Sequence, residues 1–395
     1  MNNRLLNISI LSISMITVMA SAAISPALAN IAAAFPDASI NTIKTVLTLP
    51  SLFIIPFSLI SGMLVARYGN KKVLYTGIII YIIGGVGPVM ANTLGQLLFY
   101  RAVLGCGCGL IVPVSQSLIA LNYTGETRAR MTGYSAAASY LMGVIASFTV
   151  APVSGINWHY GFFIYLIAVV VLVLNIIALP SDAPLQNTAK HKAKISKPVW
   201  FLIAGMFLLN VAFYAVPANV ALFMRERGIG GAGSAGYVIS AFMLAGLAGG
   251  LSLVFIRKVF QKYTATFGTG VMAAGYAVLS FSSNLTMVSC GAAMVGFSFA
   301  VLFPLILSKI NNKCGKTTVV FALSLAGCAQ FLGQFTSPYI LHLLKSVYGK
   351  YYLHYDFIIL FFVLSAAFIL LFISKRSKRF YKALYPADPV VMQDV

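Results

Sequence analysis

The sequence predicts an all-α membrane protein: twelve transmembrane helices in two pseudo-symmetric six-helix bundles. Three observations carry that expectation. Only 9% of the 395 residues are charged and the mean hydropathy is +0.92, whereas a soluble domain carries roughly 25% charged residues. The apolar runs reach about 20 residues or more, the length a helix needs to cross about 30 Å of hydrocarbon, without the ten-residue alternation of an outer-membrane barrel. Finally, the halves resemble each other. At a shift of 191 residues Arg67 falls on Lys258, Lys71 on Lys262, Gly105 on Gly296 and Pro113 on Pro304, although Gly62 and Gly69 do not recur.

The runs lie at 5–34, 41–66, 72–91, 95–121, 130–154, 158–180, 198–224, 234–256, 263–282, 285–308, 318–344 and 354–374. The first continues to Ala34 without an A-x-A-like cleavage site, so it reads as a spanning helix rather than the shorter core of a signal peptide. The second leads into the basic turn of Arg67, Lys71 and Lys72, where Gly62 and Gly69 permit close helix approach and a tight turn. Run 95–121 holds Arg101, an ionisable group inside a span and hence functional by default, with snorkelling or carbonyl bonding as the structural reading. Gly105 and Gly109 give the same run a small-x3-small packing face. Run 130–154 follows the loop acid Glu126 and contains Pro152. His159 opens run 158–180, where an interfacial structural role suits its position. The polar, Lys-rich stretch 181–197 divides the bundle 1–180 from the bundle 198–374, and 375–395 forms a tail. In run 198–224, Asn210 and Tyr214 share a face, and Pro217 is expected to break the helix before Asn219. Run 285–308 carries the repeated Gly296 and Pro304.

With the N-terminus in the cytoplasm, 21 of the 27 Lys and Arg residues fall in cytoplasmic segments and five (Lys44, Arg225, Arg227, Lys345 and Lys350) in external ones. The positive-inside rule then puts both termini in the cytoplasm. The net charge of +20 is a topological signal for a chain set in membrane lipid, and no nucleic-acid partner is expected. The acids Asp37, Glu126, Asp182, Glu226, Asp356, Asp388 and Asp394 all fall in loops, at helix ends or in the tail, so no carboxylate is expected mid-membrane. Cys106, Cys108, Cys290, Cys314 and Cys328 lack metal-ligand spacing and read as packing residues; no metal or cofactor is expected. No Gly-Lys-Ser/Thr phosphate loop points to ATP drive, no filter ring to a channel, and no nucleophile–base pair to an enzyme.

Residues 62–74 present Gly62, Leu64, Val65, Ala66, Arg67, Gly69, Asn70, Lys71 and Leu74 against the signature G-x-L-A-D-R-x-G-R-K-x-x-L. Arg101 is followed by Gly105, Gly107 and Gly109. The fifth run ends in "APVSGINWHYGFF", where Pro152, Gly155, Trp158 and Phe162 match G-P-x-x-G-G and its following W-R-x-x-F. On these motifs the chain resembles the major facilitator superfamily over essentially its whole length, and its twelve-helix drug/proton antiporter branch in the last motif. The resemblance implies alternating access, a coupling role for Arg101, and gating roles for Gly62, Arg67, Gly69, Lys71, Gly105, Gly109 and Pro152. The family's Asp, which latches the loop after the second helix, is Ala66 here. Glu126 is the carboxylate expected near Arg67 or Lys71. Asp37 is the acid expected on the same side as Arg101.

A ligand of this fold binds near the midplane, between the halves. Ser21, Ser25, Gln116, Tyr134, Tyr140, Asn210, Tyr214, Asn219, Tyr237, Phe299, Phe303, Gln330 and Gln334 are the candidates there, although each of these residue types more often serves in packing than in binding. Aromatics with a few amides suit a moderately apolar organic molecule. The expected function is a monomeric secondary transporter of a bacterial-type plasma membrane that exports such small molecules and is driven by protons. The alternative is an organic-anion or nutrient permease in which Arg101 faces the anion.

Overall fold

The structure, a computed structural model, describes residues 3–179, 195–315, 318–347 and 352–376. Most of the expected linker 181–197 and tail 375–395 lie outside the described residues. The α-helices are α1 (Asn3–Ala22), α2 (Leu28–Ala34), α3 (Ile40–Tyr68), α4 (Asn70–Val86), α5 (Leu94–Asn122), α6 (Gly125–Ile156), α7 (Ile167–Ala178), α8 (Lys197–Glu226), α9 (Ala232–Phe260), α10 (Thr264–Ser280), α11 (Leu285–Lys313), α12 (Val319–Val347) and α13 (His354–Arg376).

Local chemistry sets the helix ends. Ser39 caps α3 by accepting the Thr42 N–H at 3.2 Å. Thr93 and Gln96 form a reciprocal capping box at the start of α5, which satisfies N–H groups that lack an intrahelical partner. Asn284 accepts the Met287 N–H at 2.9 Å at the start of α11. Between α3 and α4 the chain turns at Gly69, whose φ of 83° is open to glycine and strained for other residues.

Ten stretches of the described residues are long and apolar enough to cross a membrane. One of them, Ala232–Ser280, holds both α9 and α10, which meet at Gln261, φ 43°. The 29-residue α12 lies outside those ten. Two expectations need correction. The first run is not one helix: α1 stops at Ala22 and Ser25–Ala27 forms a 3-10 turn around Pro26, whose missing N–H cannot extend the ladder. Pro217, in contrast, leaves α8 unbroken from Lys197 to Glu226, since neighbouring helices in a bundle re-satisfy the carbonyls a proline frees.

Two sets of helices result. In the first, α3 and α4 pack on α5, and α1 packs on α6 and α5. In the second, α9 and α10 pack on α11, α8 on α12, and α13 on α10. The repeat read from sequence recurs as a contact. A Cβ on Gly105 of α5 would come within 2.5 Å of the Pro50 carbonyl oxygen of α3, and one on Gly296 of α11 would overlap the Phe242 carbonyl oxygen of α9. Both positions let two backbones touch, as only glycine can. The sets meet along two seams, α6 against α9 and α3 against α12, with the Ser25–Ala27 turn against α8 and α9.

Candidate functional site: a polar network and an ion cluster on the seam

The seam is closed toward the end of the bundle that carries Lys44. There the Thr45 and Tyr339 hydroxyls lie 2.6 Å apart, the Ser25 hydroxyl donates to the Pro217 carbonyl at 2.6 Å, and Arg225 donates to the Ala29 carbonyl at 2.7 Å. Along α6 and α9 the contact runs from Ala151 against Gly236, through Gly143 against Met243, to Tyr140 against Gly246. Farther toward the end that carries Arg67, Tyr134 is 59% exposed.

At the inner limit of the closed half, α1, α3, α8 and α12 bring polar side chains together. Ser51 donates to Gln334 Oε1 at 3.0 Å, and Gln334 Nε2 donates to Asn210 Oδ1 at 3.3 Å. The Tyr214 hydroxyl lies near the side chains of Ser21 and Ser51. Asn210 also donates to the Met206 carbonyl one turn back, at 2.9 Å. Beside this network stands an aromatic wall: Phe213 stacks on Phe299 with centroids 3.7 Å apart, and Phe299 on Phe303 at 5.3 Å. Uncharged donors and acceptors next to stacked rings suit a moderately apolar organic molecule.

Of the candidates read from sequence, Ser21, Asn210, Tyr214, Gln334, Phe299 and Phe303 gather here. Gln330 lies half-buried one turn from Gln334 on α12. Ser25 sits nearer the Lys44 end, as does Asn219, which is wholly buried and donates to the Ala215 carbonyl at 2.8 Å. Tyr140 packs on α9. Gln116 is exposed, and Tyr237 is exposed with its edge on Phe148 at 5.2 Å. Ser51 escaped the sequence reading. A serine in the apolar run 41–66 carries no periodic signal, and only its contact with Gln334 marks it.

Arg101 is wholly buried. Nε donates to the Val46 carbonyl at 2.7 Å, Nη2 to the Ala20 carbonyl at 2.6 Å, and Nη1 to the Tyr165 hydroxyl at 3.0 Å. Backbone carbonyls therefore compensate the cation, and Asp37, which is exposed, is not among these partners. Glu126 pairs with Arg130 one turn along α6 at 2.8 Å rather than with Arg67 or Lys71. The Lys71 ammonium donates to the Leu179 carbonyl at 2.9 Å, and Arg67 lies over the Tyr68 ring. A Cβ on Gly62 would meet nothing within 4 Å, so this glycine makes no close approach, whereas Gly109 packs on Ile54 and Phe57 of α3. Pro152 is exposed on α6.

The reading that places every acid in a loop, at a helix end or in the tail misses the environment of Asp356. This carboxylate, in the first turn of α13, is 0% exposed and lies 3.4 Å from Lys44 Nζ and 3.0 Å from Lys345 Nζ. The two lysines, expected in external segments, are buried as well. The last turn of α12 and the first turns of α3 and α13 fold over one another, so helix ends that look wet in sequence are dry in the assembly.

A sequence model of the Major Facilitator Superfamily matches residues 10–338. Among curated relatives, Multidrug resistance protein 3 of Bacillus subtilis is 32% identical over 106 residues, 27% of this chain and 21% of its own length. Multidrug transporter protein MdtP of the same organism is 29% identical over 170 residues, 43% of this chain and 29% of its own. Quinolone resistance protein NorB of Staphylococcus aureus is 26% identical over 178 residues, 44% of this chain and 36% of its own. The chain thus spans about a fifth to a third of the length of these relatives. Among solved structures, a bacterial homolog of the human lysosomal transporter Spinster, in an inward-facing and occupied conformation, superposes with a TM-score of 0.72 at 14% identity, covering 94% of this chain and 96% of its own. The nucleoside transporter NupG does so with a TM-score of 0.74 at 11% identity, covering 93% of this chain and 100% of its own.

Proposed function

The chain belongs to the Major Facilitator Superfamily, and we propose that it works as a proton-driven exporter of small, moderately apolar organic molecules. It is an integral membrane protein and a transporter. In this reading it sits as a monomer in a bacterial plasma membrane. Residues 1–180 and 198–374 are its two rocking bundles, 181–197 their cytoplasmic linker and 375–395 a cytoplasmic tail. Both termini are cytoplasmic, on the charge asymmetry of the loops. The Lys44 end then faces outward, and the conformation is closed to the outside.

The observation that carries the substrate class is the uncharged hydrogen-bonded chain of Ser51, Gln334 and Asn210, with Tyr214 and Ser21 beside it, against the Phe213–Phe299–Phe303 wall. Both halves of the molecule contribute to it, so rocking them apart remakes the site for the opposite face. The names of the curated relatives, multidrug and quinolone resistance, agree with an apolar organic cargo. The permease alternative needs Arg101 to face an anion, yet the guanidinium is closed off by two carbonyls and a phenol.

The test is flux in proteoliposomes under an imposed pH gradient, with a fluoroquinolone, an uncharged lipophilic dye and an organic anion as probes. Movement of the quinolone or dye that collapses with the gradient is the expected result. Movement of the anion alone, or flux indifferent to the gradient, overturns the reading.

A further inference from the structure

The ion cluster at the Lys44 end belongs neither to the polar network nor to any motif in the sequence. Asp356 and Lys345 are on α13 and α12, in one set of helices, so their 3.0 Å pair persists when the sets part. Lys44 is on α3, in the other set, and its 3.4 Å contact with Asp356 is the one that opening breaks. The other titratable and charged groups facing the cluster are Tyr276 on α10 and Glu226 at the end of α8, with His354 and Arg227 beyond. Glu226 is exposed and accepts the Leu353 N–H at 3.2 Å, so water screens it from the buried lysines.

The closed cluster therefore encloses two amines and one carboxylate. A buried ammonium without an anion of its own is strongly disfavoured, and shedding one proton brings the enclosed groups to neutrality. That proton belongs to the cluster as a unit rather than to one named lysine. Once the seam opens and water enters, nothing disfavours the second ammonium.

We propose that Lys44, Asp356 and Lys345 form the proton-coupling site of this transporter: closed, the cluster holds one proton fewer than open, and opening takes one up from the solution at that face. The proton adds to an amine lone pair to form the second ammonium, and closing returns it from that ammonium to water. The direction of the drive rests on the exporter reading, which makes that solution the cell exterior; the linkage between opening and protonation does not. Thr48 and Ser51, both buried, follow Lys44 at helical spacing on the same face of α3, so hydroxyls lead from the cluster to the Gln334–Asn210 network.

The experiment is thiol labelling of Thr48→Cys in the full-length protein in lipid nanodiscs, resolved from the five native cysteines by peptide mass spectrometry. Thr48 is 0% exposed in the closed form. Its labelling rate, divided by that of Ala33→Cys on the exposed end of α2, reports the open fraction free of the thiol's own pH dependence. The ratio is expected to rise on acidification, approaching tenfold per pH unit for a one-proton linkage. It should stay flat in Lys345→Met, where one amine faces one carboxylate, and keep its rise in His354→Gln. Lys44→Met gives the same flat ratio and serves if Lys345→Met fails to fold. A flat ratio with the cluster intact overturns the proposal, as does an unchanged rise in Lys345→Met or a lost rise in His354→Gln. A flat ratio beside intact proton-driven efflux removes the cluster and leaves the exporter. A titrating ratio without any proton-driven efflux removes the exporter and leaves the linkage.

Discussion

Arg101 and Tyr165 share an acceptor. The Ala20 carbonyl takes Nη2 of Arg101 at 2.6 Å and the Tyr165 hydroxyl at 3.0 Å, while Nη1 of Arg101 donates to the same hydroxyl at 3.0 Å. With the bond to Val46 on α3, one guanidinium ties α5 to α1, α3 and the 3-10 segment Trp158–Leu166.

Replacing that guanidinium should therefore loosen the first set of helices. Hydrogen bonds inside membrane proteins are worth about 0.6 kcal/mol on average and up to about 1.7, and those to charged donors about 1.5–3 in other settings. The three bonds of Arg101 predict a loss of roughly 2–5 kcal/mol in Arg101→Ala. Arg101→Lys should recover part of it, because a lysine cannot reproduce the fork. Thermal unfolding in detergent measures both, and the stabilisation by a bound quinolone or dye should persist in each variant that folds.

Tyr214→Phe removes the hydroxyl beside Ser21 and Ser51 and leaves the ring in place. The expected effect is a change of about twofold to tenfold in ligand affinity, the equivalent of one hydrogen bond of about 0.5–1.5 kcal/mol. Tyr237→Phe, on an exposed tyrosine, should leave affinity unchanged. Ligand titration on purified protein compares the two.

Gly105→Ala and Gly296→Ala place a methyl group on a facing backbone carbonyl. Overpacking of this kind costs about 1–3 kcal/mol, and both variants should unfold at lower temperature than the parent. Gly62→Ala, with nothing within 4 Å of the added carbon, should not.

Glu126→Gln tests the latch. The Glu126–Arg130 pair is exposed on both sides, 66% for the arginine and 80% for the acid, and pairs of this kind are screened by water. Stability and transport should both match the parent. A large fall in transport would instead assign Glu126 to the moving contacts of Arg67 or Lys71.

Much of this architecture is written along the chain. Span length and hydropathy answer to the thickness of a bilayer, and the 191-residue echo of Gly105 in Gly296 marks two places where backbones must touch. These are one-dimensional signals, because the membrane imposes a single axis on every helix. Asn210 and Tyr214 were legible for the same reason, as polar residues on one face of an apolar run. The partners of those residues were not. Ser51 meets Gln334 across 283 positions and Lys44 meets Asp356 across 312, and nothing near Lys44 in sequence says that its ammonium will be dry. A residue at the end of a helix reads as solvated until another helix covers it. Burial at a seam is a property of two surfaces together, so the spans, the composition and the repeat came from the sequence alone, while the network, the carbonyl cage of Arg101 and the one-carboxylate cluster were decided by tertiary packing.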